Sequence, residues 1–285
     1  MFAMQQRNRN VAKLAILQPK GRHFDVKRLP GFPSLAIFCI ITLYGPLVMM
    51  AFFSFNEARS VTLFSGFSWK WYLQAAGNTF VQNATFLSLK LAVVATFFAT
   101  IAATMAGLAT TRLKPFKGQT AVYGIINQPL MIPEIVTAVA TLTFFGIIKQ
   151  ITGVYGVGYL MLAHTVFCIP FAYMPIRARL EDMDLTLEHA AADLYATPWR
   201  VFRRVTLPLM VPGILAGAML SFVISLDDVV ISIMVAGPGE VTLPMWMITQ
   251  MRRGITPEIN AISTVLLGVS FLAVSFIFLF TQKKQ

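Results

Sequence analysis

The chain has 285 residues, of which 56% are hydrophobic and 12% are charged, and its formal net charge is +11. This charged fraction is about half that of a soluble domain, and the mean hydropathy is +0.69, so the composition excludes a large soluble domain. Cys39 and Cys168 both lie in apolar runs. They are interpreted as small core residues, and they predict neither a disulfide framework nor a metal site.

Six apolar stretches are long enough for a transmembrane helix, which needs about 20 mostly apolar residues. The first is uncharged and follows the basic tail of residues 1–31 without a small-residue cleavage site, so we expect a retained helix. The third stretch contains Glu134, and the fifth contains Asp227 and Asp228. The predicted spans are residues 32–55, 91–111, 118–148, 158–176, 207–236 and 259–282.

The lysines and arginines predict the orientation. Seventeen of the 23 lie in the two tails and in the loops between spans two and three and between spans four and five. Because cytoplasmic loops carry the excess of Lys and Arg, both termini are predicted to be cytoplasmic. The positive charge is then a topology signal, and no nucleic-acid partner is expected.

Two segments on the opposite side are irregular. Segment 56–82 is rich in Trp and Tyr, including Trp69, Trp71 and Tyr72, and is either an anchor at the membrane interface or a partner contact. Segment 237–258 has glycines and prolines around a short amphipathic core. It predicts a turn, a short helix and a second turn, which either pack on the chain itself or meet an external partner.

The polar insert of residues 177–207 is predicted to be a cytoplasmic helix–turn–helix. Thr186 is the expected N-cap of its first helix, which breaks at Tyr195. Thr197 and Pro198 predict the start of the second helix, because proline at the first helical position loses no hydrogen bond. An interfacial helix is the alternative, but Glu188, Asp193 and an alanine face that buries little in lipid favour docking to a cytoplasmic protein.

This insert resembles the cytoplasmic loop of type I ABC importer permeases, Glu-Ala-Ala, three residues, Gly, nine residues, Ile-x-Leu-Pro. Here the pattern is His189-Ala190-Ala191, then Tyr195, then Val205-Thr206-Leu207-Pro208, with every spacing kept. Other segments, among them "PLMIPEIVTAV" and "SFVISLDDVVISIMVAGPGEVTLPMW", look like the spermidine/putrescine branch of that family. Residues 84–280 would then form its transmembrane domain of five helices, after the separate first span.

The resemblance implies an all-α membrane protein with six transmembrane helices and a cytoplasmic coupling hairpin between helices four and five. It implies a permease subunit that is not itself an enzyme and that moves a cationic polyamine across the bacterial inner membrane. The permease would be embedded in, and in contact with, membrane lipid. The implied partners are a second homologous permease, an extracytoplasmic binding protein and two ATPase subunits that hold ATP and Mg²⁺. The residues expected to couple to the ATPase are Glu188, His189, Ala190, Ala191, Asp193, Tyr195, Thr197 and Pro198.

The chain departs from the family pattern at two positions. His189 replaces the Glu that would complete a capping box with Thr186, so Thr186 is expected to cap alone unless Glu188 compensates. Tyr195 replaces the Gly that would follow the first helix in the left-handed conformation. A tyrosine there would cost about 1–2 kcal/mol, unless the turn is built differently.

Acidic residues within a span are costly and usually functional. Glu134 follows Pro133 at a predicted kink, and Asp227 and Asp228 lie about 30 Å along the fifth helix from Pro208 at 1.5 Å per residue. We expect these acids to line a cation pathway, with Trp246 and Tyr173 adding cation–π contacts. The alternative is that the acids pair with Lys90 or Lys149 or lie in the hydrated headgroup region, and it remains open above all for Asp228. His164 is a lone histidine on an apolar span and is interpreted as a hydrogen-bonded core residue in preference to a proton relay.

Other functions have little support in the sequence. No glycine is followed by lysine, so there is no P-loop, and His-Glu-x-x-His and Gly-x-Ser-x-Gly are both absent. No catalytic residue, metal site or cofactor is therefore predicted in this chain. Two alternatives stay open: an ABC permease for an opine, amino-acid-like solute, metal or oxyanion, and an autonomous secondary transporter or channel.

Overall fold

The computed structural model describes residues 32–60, 62–113, 116–254 and 256–282, so the basic tail predicted for residues 1–31 lies outside the described residues. The chain divides into two units, Met1–Met50 and Ala51–Gln285. The first unit contains most of helix α1, Phe32–Phe53, which carries no charge and has Pro46 inside it. This helix matches the first predicted span, and its Cys39 is exposed, so the prediction that Cys39 is a core residue is wrong.

The second unit is built from helices, whose order follows the chain. They are α2 Lys70–Gly77, α3 Thr79–Thr111, α4 Gln119–Met131, α5 Glu134–Thr152, α6 Gly158–Glu181, α7 Thr186–Asp193, α8 Pro198–Val201, a π-helical turn Phe202–Thr206, α9 Leu207–Asp227, α10 Val230–Val235, α11 Leu243–Met251 and α12 Pro257–Gln282.

Five helices in the described part of the chain are long and apolar enough to cross a membrane. They are Pro33–Phe53, Thr79–Thr111, Glu134–Thr152, Gly158–Glu181 and Pro198–Asp227. The sixth predicted span falls in α12, where the described apolar stretch Pro257–Leu272 is shorter. The all-α membrane fold is therefore confirmed, and the sixth span stays a prediction.

The core lies where α3, α6 and α9 pack together. Small residues line the contact, because Ala95, Ala99 and Ala103 of α3 are fully buried and meet Cys168 and Ala172 of α6. Membrane helices pack through such small residues, which let the backbones approach closely. Cys168 is thus a core residue, as predicted.

Of the described glycines, Gly217 of α9 leaves the least room between its own Cα and a backbone atom of α6. A Cβ at this position would lie 2.6 Å from the carbonyl oxygen of Ala172. Gly217→Ala is therefore expected to destabilise the protein by about 1–3 kcal/mol through overpacking. Gly146→Ala in α5 is the matched control, because a Cβ there meets nothing within 4 Å and alanine favours a helix by about 1 kcal/mol. Thermal unfolding in detergent measures both, and equal midpoints for the two variants would contradict this packing.

The third predicted span is two helices and not one kinked helix. Helix α4 ends at Met131 and α5 begins at Glu134, with Ile132 (φ −98°, ψ 140°) extended between them. The residue before a proline is sterically disfavoured in the helical region, which accounts for a full break at Ile132–Pro133. The other proline of this segment, Pro129, is accommodated inside α4.

The fifth predicted span is also interrupted. Helix α9 ends at Asp227, Asp228 is extended (φ −64°, ψ 132°), and the separate helix α10 begins at Val230. The continuous helix predicted to residue 236 is therefore wrong. The reason is local, because the carboxylate of Asp228 starts a new helix.

The predicted turn, short helix and turn of segment 237–258 are confirmed. The N–H of Gly237 donates to Oε2 of Glu240 at 2.8 Å, and Oγ1 of Thr242 accepts from the N–H of Met245 as the cap of α11. The buried face of α11 packs on Ala75, Val81 and Ile262 of the same chain. This part of the segment serves internal packing.

The aromatic loop before α2 is organised by one asparagine. Asn56 is fully buried, and its side chain donates to the carbonyl oxygens of Ser60 at 2.6 Å and Leu63 at 2.8 Å. The indole N–H of Trp71 donates to the Asn56 carbonyl at 2.6 Å, and Trp71 is buried. Trp71 is therefore a core residue and no interfacial anchor, whereas Trp69 is exposed.

Candidate functional site

The hairpin of α7 and α8 starts with a cap that differs from the predicted one. Thr186 is the first residue of α7, and its N–H donates to Oδ1 of Asp184 at 2.9 Å. This hydrogen bond lowers the pKa of Asp184 below its ordinary value. The predictions that Thr186 caps alone or that Glu188 compensates are both wrong, because Asp184 takes the place of the lost capping box.

Tyr195 adopts the left-handed conformation that the family's glycine predicts. Its φ is 57°, the one positive φ at a non-glycine residue in the described part of the chain. Its N–H donates to the Ala192 carbonyl at 2.9 Å, and the N–H of Ala196 donates to the Ala191 carbonyl at 3.2 Å. These two bonds form a Schellman motif, so the turn is built as a glycine would build it, at a cost of about 1–2 kcal/mol.

The hairpin presents an exposed apolar surface around this turn. Leu194 is 82% exposed, Tyr195 is 95% exposed and Trp199 is 68% exposed. Contiguous exposed apolar side chains mark an interaction surface. The predicted coupling residues that are exposed here are His189, Ala190, Asp193, Tyr195, Thr197 and Pro198, and Ala191 is half-buried. Thr197 occupies the N-cap position before Pro198 but makes no side-chain cap bond.

Glu188 points away from that surface. Its Oε1 accepts from Nε of Arg112 at 3.2 Å and from Oγ1 of Thr206 at 3.1 Å. The sequence places Glu188 among the ATPase contacts, whereas the structure holds its carboxylate between the ends of α3 and α9.

Asp228 is buried at the second candidate site, where α9 gives way to α10. Its two carboxylate oxygens accept from the N–H of Ile231 at 3.3 Å and from the N–H and hydroxyl of Ser232, each at 2.9 Å. These bonds satisfy the first turn of α10. Asp228 therefore has a capping role in this structure.

His164 of α6 lies behind Asp228 and confirms the core interpretation. It is 1% exposed, its Nδ1 is 2.9 Å from Oγ of Ser225, and its Nε2 is 3.1 Å from Oγ of Ser232. The same Nε2 is 3.5 Å from Oδ2 of Asp228. Sequence reasoning missed both serines, although a new helix starting at Asp228 would have placed Ser232 in its first turn.

The two helix breaks bring the three acids together. Glu134 is the first residue of α5, Asp227 is the last of α9, and both are exposed. The carboxyl group of Glu134 is close enough to those of Asp228 and Asp227 for their charges to interact, and α5 packs against α10. We call Glu134, Asp227 and Asp228 the acidic cluster.

The alternative pairing with lysine is not observed. Ion pairs within residues 32–60, 62–113, 116–254 and 256–282 join Arg112 to Glu188, Arg177 to Glu181 and His164 to Asp228. Lys149 instead lies over the ring of Tyr159 at 5.1 Å. In this part of the chain, neither Glu134 nor Asp227 is neutralised by a Lys or Arg.

The two predicted aromatic residues lie elsewhere. Tyr173 is nine residues beyond His164 on α6, about 13 Å further along the helix, and its hydroxyl is 2.9 Å from Oγ1 of Thr110. Trp246 is buried in the packing of α11. Both rings are buried in the packing of the core, and their cation–π role stays a prediction.

Comparison with known proteins identifies a family of membrane transport components and two similar relatives. The family described as "Binding-protein-dependent transport system inner membrane component" matches residues 99–284. The chain is 37% identical over 258 residues to the putrescine transport system permease protein PotI of Escherichia coli (strain K12), covering 88% of this chain and 92% of the relative. It is 36% identical over 243 residues to the spermidine/putrescine transport system permease protein PotC of Haemophilus influenzae, covering 85% and 93%.

The fold matches a chain of a bacterial ABC transporter involved in the import of the acidic polysaccharide alginate. The TM-score is 0.68 at 15% identity, covering 99% of both chains, which shows a shared fold. Fold and family together define a membrane-spanning permease subunit of an ABC importer. The chain belongs to the family of binding-protein-dependent transport system inner membrane components.

Proposed function

We propose that this permease moves a cationic polyamine, putrescine or spermidine, across the inner membrane. The observation that carries the proposal is the acidic cluster, in which Glu134 and Asp227 are exposed and without a Lys or Arg partner in the described residues. The relatives' names, putrescine and spermidine/putrescine transport system permease proteins, support the same substrate class.

The chemistry of the cluster suits an ammonium group. A carboxylate without a cationic partner attracts a cation, and charge-assisted hydrogen bonds to ammonium are about twice as strong as neutral ones. Asp228 is engaged with its own helix, so Glu134 and Asp227 are the groups that would receive the substrate. An oxyanion would meet repulsion at the same place.

The permease would need partners to use ATP. The exposed hairpin surface would dock one ATPase subunit, which carries ATP and Mg²⁺, and a second homologous permease would dock another. A binding protein would deliver the polyamine on the side opposite the hairpin, with both termini of this chain cytoplasmic. ATP binding would draw the two hairpins together and turn the spans outward, and hydrolysis would restore the inward-facing state.

Two experiments test this proposal. Calorimetry on the partner binding protein should show tight binding of putrescine or spermidine and none of opines, amino acids or molybdate; the reverse selectivity would overturn the polyamine assignment.

Affinity purification of the permease should recover an ATPase subunit in stoichiometric amount. A permease that transports alone in liposomes would instead be an autonomous transporter.

The exposed ring of Tyr195 is expected to contribute to ATPase docking. Tyr195→Gly should relieve the left-handed strain and stabilise the hairpin by about 1 kcal/mol, yet weaken ATPase association because a large exposed ring is lost. Tyr195→Phe, which keeps both the ring and the strain, is the control and should associate like the wild type. A pull-down in which Tyr195→Gly retains the ATPase equally tightly would show that the ring makes no contact.

A further inference from the structure

The first helix of the hairpin, α7, has little apolar packing to hold it in place. None of its residues is buried, and the elements that it packs against most in the described part of the chain are α8 and the π-helical turn that leads into α9. A docking element that moves with an ATPase must nevertheless act on the spans. The π-helical turn runs directly into α9 within the helical stretch Pro198–Asp227, so α8 is joined to a span through the chain, whereas α7 is connected to α3 and α9 by side chains.

The side chain of Glu188 supplies that connection. Its Oε1 accepts from Nε of Arg112 at 3.2 Å and from the hydroxyl of Thr206 at 3.1 Å. Within the described ranges, these are the side-chain hydrogen bonds that leave α7 for other helical elements. The donors are 76 and 18 residues away along the chain, so the link is tertiary.

Each donor is anchored at the cytoplasmic end of a span. Arg112 is the C-cap of α3, and its own N–H donates to the Leu108 carbonyl at 2.9 Å. Thr206 is 4% exposed and immediately precedes α9. Since α3 and α9 also pack against each other, one carboxylate oxygen joins α7 to the ends of both members of that packed pair.

The Arg112–Glu188 ion pair is largely shielded from solvent. The side chains of Arg112 and Glu188 are 17% and 20% exposed, so salt screens their attraction less than that of a surface pair. Nη2 of Arg112 is buried without a hydrogen-bond partner among residues 32–60, 62–113, 116–254 and 256–282. Glu188 is therefore the acceptor that the described chain provides for this guanidinium.

We propose that Glu188 is a positioning residue that transmits hairpin displacement to α3 and α9 through Arg112 and Thr206. This inference rests on the proposed function, because it takes the hairpin to be the ATPase docking element. It separates two roles within one short helix, docking at the exposed surface and transmission at the inward carboxylate.

The complete importer in proteoliposomes, with ATPase, second permease and binding protein, tests this role. Glu188→Ala is expected to keep ATPase association within twofold of the wild type, lower polyamine uptake at least tenfold and raise the ATP hydrolysed per polyamine about tenfold. Glu188→Gln keeps an acceptor oxygen, so its uptake and its ATP consumption per polyamine should lie between those of the wild type and of Glu188→Ala. Glu181→Ala, which breaks the Arg177–Glu181 pair within α6, is the matched control and should leave this ratio unchanged.

A charge exchange distinguishes transmission from a general loss of structure. Glu188→Arg and Arg112→Glu should each lower uptake at least tenfold, and the double exchange should restore it to within about threefold, because the Thr206 hydroxyl also accepts from a guanidinium. Failure of the double variant to recover, or normal coupling in Glu188→Ala, would overturn the inference. Loss of ATPase binding in Glu188→Ala would overturn it too, by placing Glu188 in the docking contact.

Spin labels give a readout that does not depend on the substrate. Cysteines introduced at Asp193 and Asp182, with Cys39 and Cys168 changed to serine, report the distance from the hairpin to the end of α6. A distance distribution that is narrow in the wild type and broader in Glu188→Ala supports the positioning role of Glu188. If that result is obtained while no polyamine is transported, the proposed function fails and the inference stands. An unchanged distribution contradicts the inference and leaves the proposed function standing.

Discussion

Asp227→Asn is expected to lower polyamine uptake at limiting substrate about ten- to hundredfold. The carboxylate is exposed at the end of α9 and has no Lys or Arg partner in the described chain, so its charge is available to an ammonium group. A hydrogen bond to a charged group is worth about 1.5–3 kcal/mol, and a tenfold change corresponds to about 1.4 kcal/mol. Uptake of labelled putrescine and spermidine by the reconstituted importer measures the loss.

Two further variants make this result specific. Asp182→Asn removes a charge from the exposed C-cap of α6, outside the acidic cluster, and should leave uptake unchanged. Asp228→Asn keeps a side-chain acceptor for α10 and should mainly lower stability, by about 1 kcal/mol. Unchanged uptake in Asp227→Asn at limiting substrate would remove Asp227 from the pathway.

Ala190→Arg is expected to reduce ATPase association at least tenfold. Ala190 is exposed on α7, and its small side chain allows a partner to approach the helix closely. An arginine would hold the partner off and would leave its charge facing an apolar contact. Co-purification of the ATPase from detergent measures the effect.

Ala192→Arg is the matched control for that substitution. Ala192 is also exposed on α7, but it points about 200° around the helix from Ala190 at 100° per residue. It should retain the ATPase. If both arginine variants bind the ATPase normally, the hairpin is not the docking element, and the mechanism proposed for this permease fails with it.

The sequence anticipates features that depend on local chemistry. Apolar length predicts α1, α3 and α6, because a span needs only enough hydrophobic residues in a row. The spacing of the family pattern places Tyr195 where the family has a left-handed glycine, and of the two turns left open the structure has the left-handed one, at φ 57°. Proline and glycine placement likewise predicts the turn, helix and turn around α11.

Features that depend on distant partners were out of reach. The sequence around Glu188 indicates an external partner, because nothing in it shows that Arg112, 76 residues earlier, lies beside Glu188. Trp71 is of a residue type that is common in interfacial anchors, yet its indole N–H donates to the carbonyl of Asn56 and the ring lies in the core. Residue type predicts the three acids of the cluster, but their assembly depends on two helix breaks, and for Ile132–Pro133 the sequence predicts only a kink.

ATP-dependent uptake of labelled polyamine by the complete importer tests the central claim most directly. Proteoliposomes containing this permease, its homologous partner and the ATPase should accumulate putrescine or spermidine only when ATP is inside and the binding protein is outside. Unlabelled polyamine should compete, and opines, amino acids and molybdate should not. Polyamine uptake without the ATPase, or ATP-driven uptake of one of these other solutes in its place, would contradict the account.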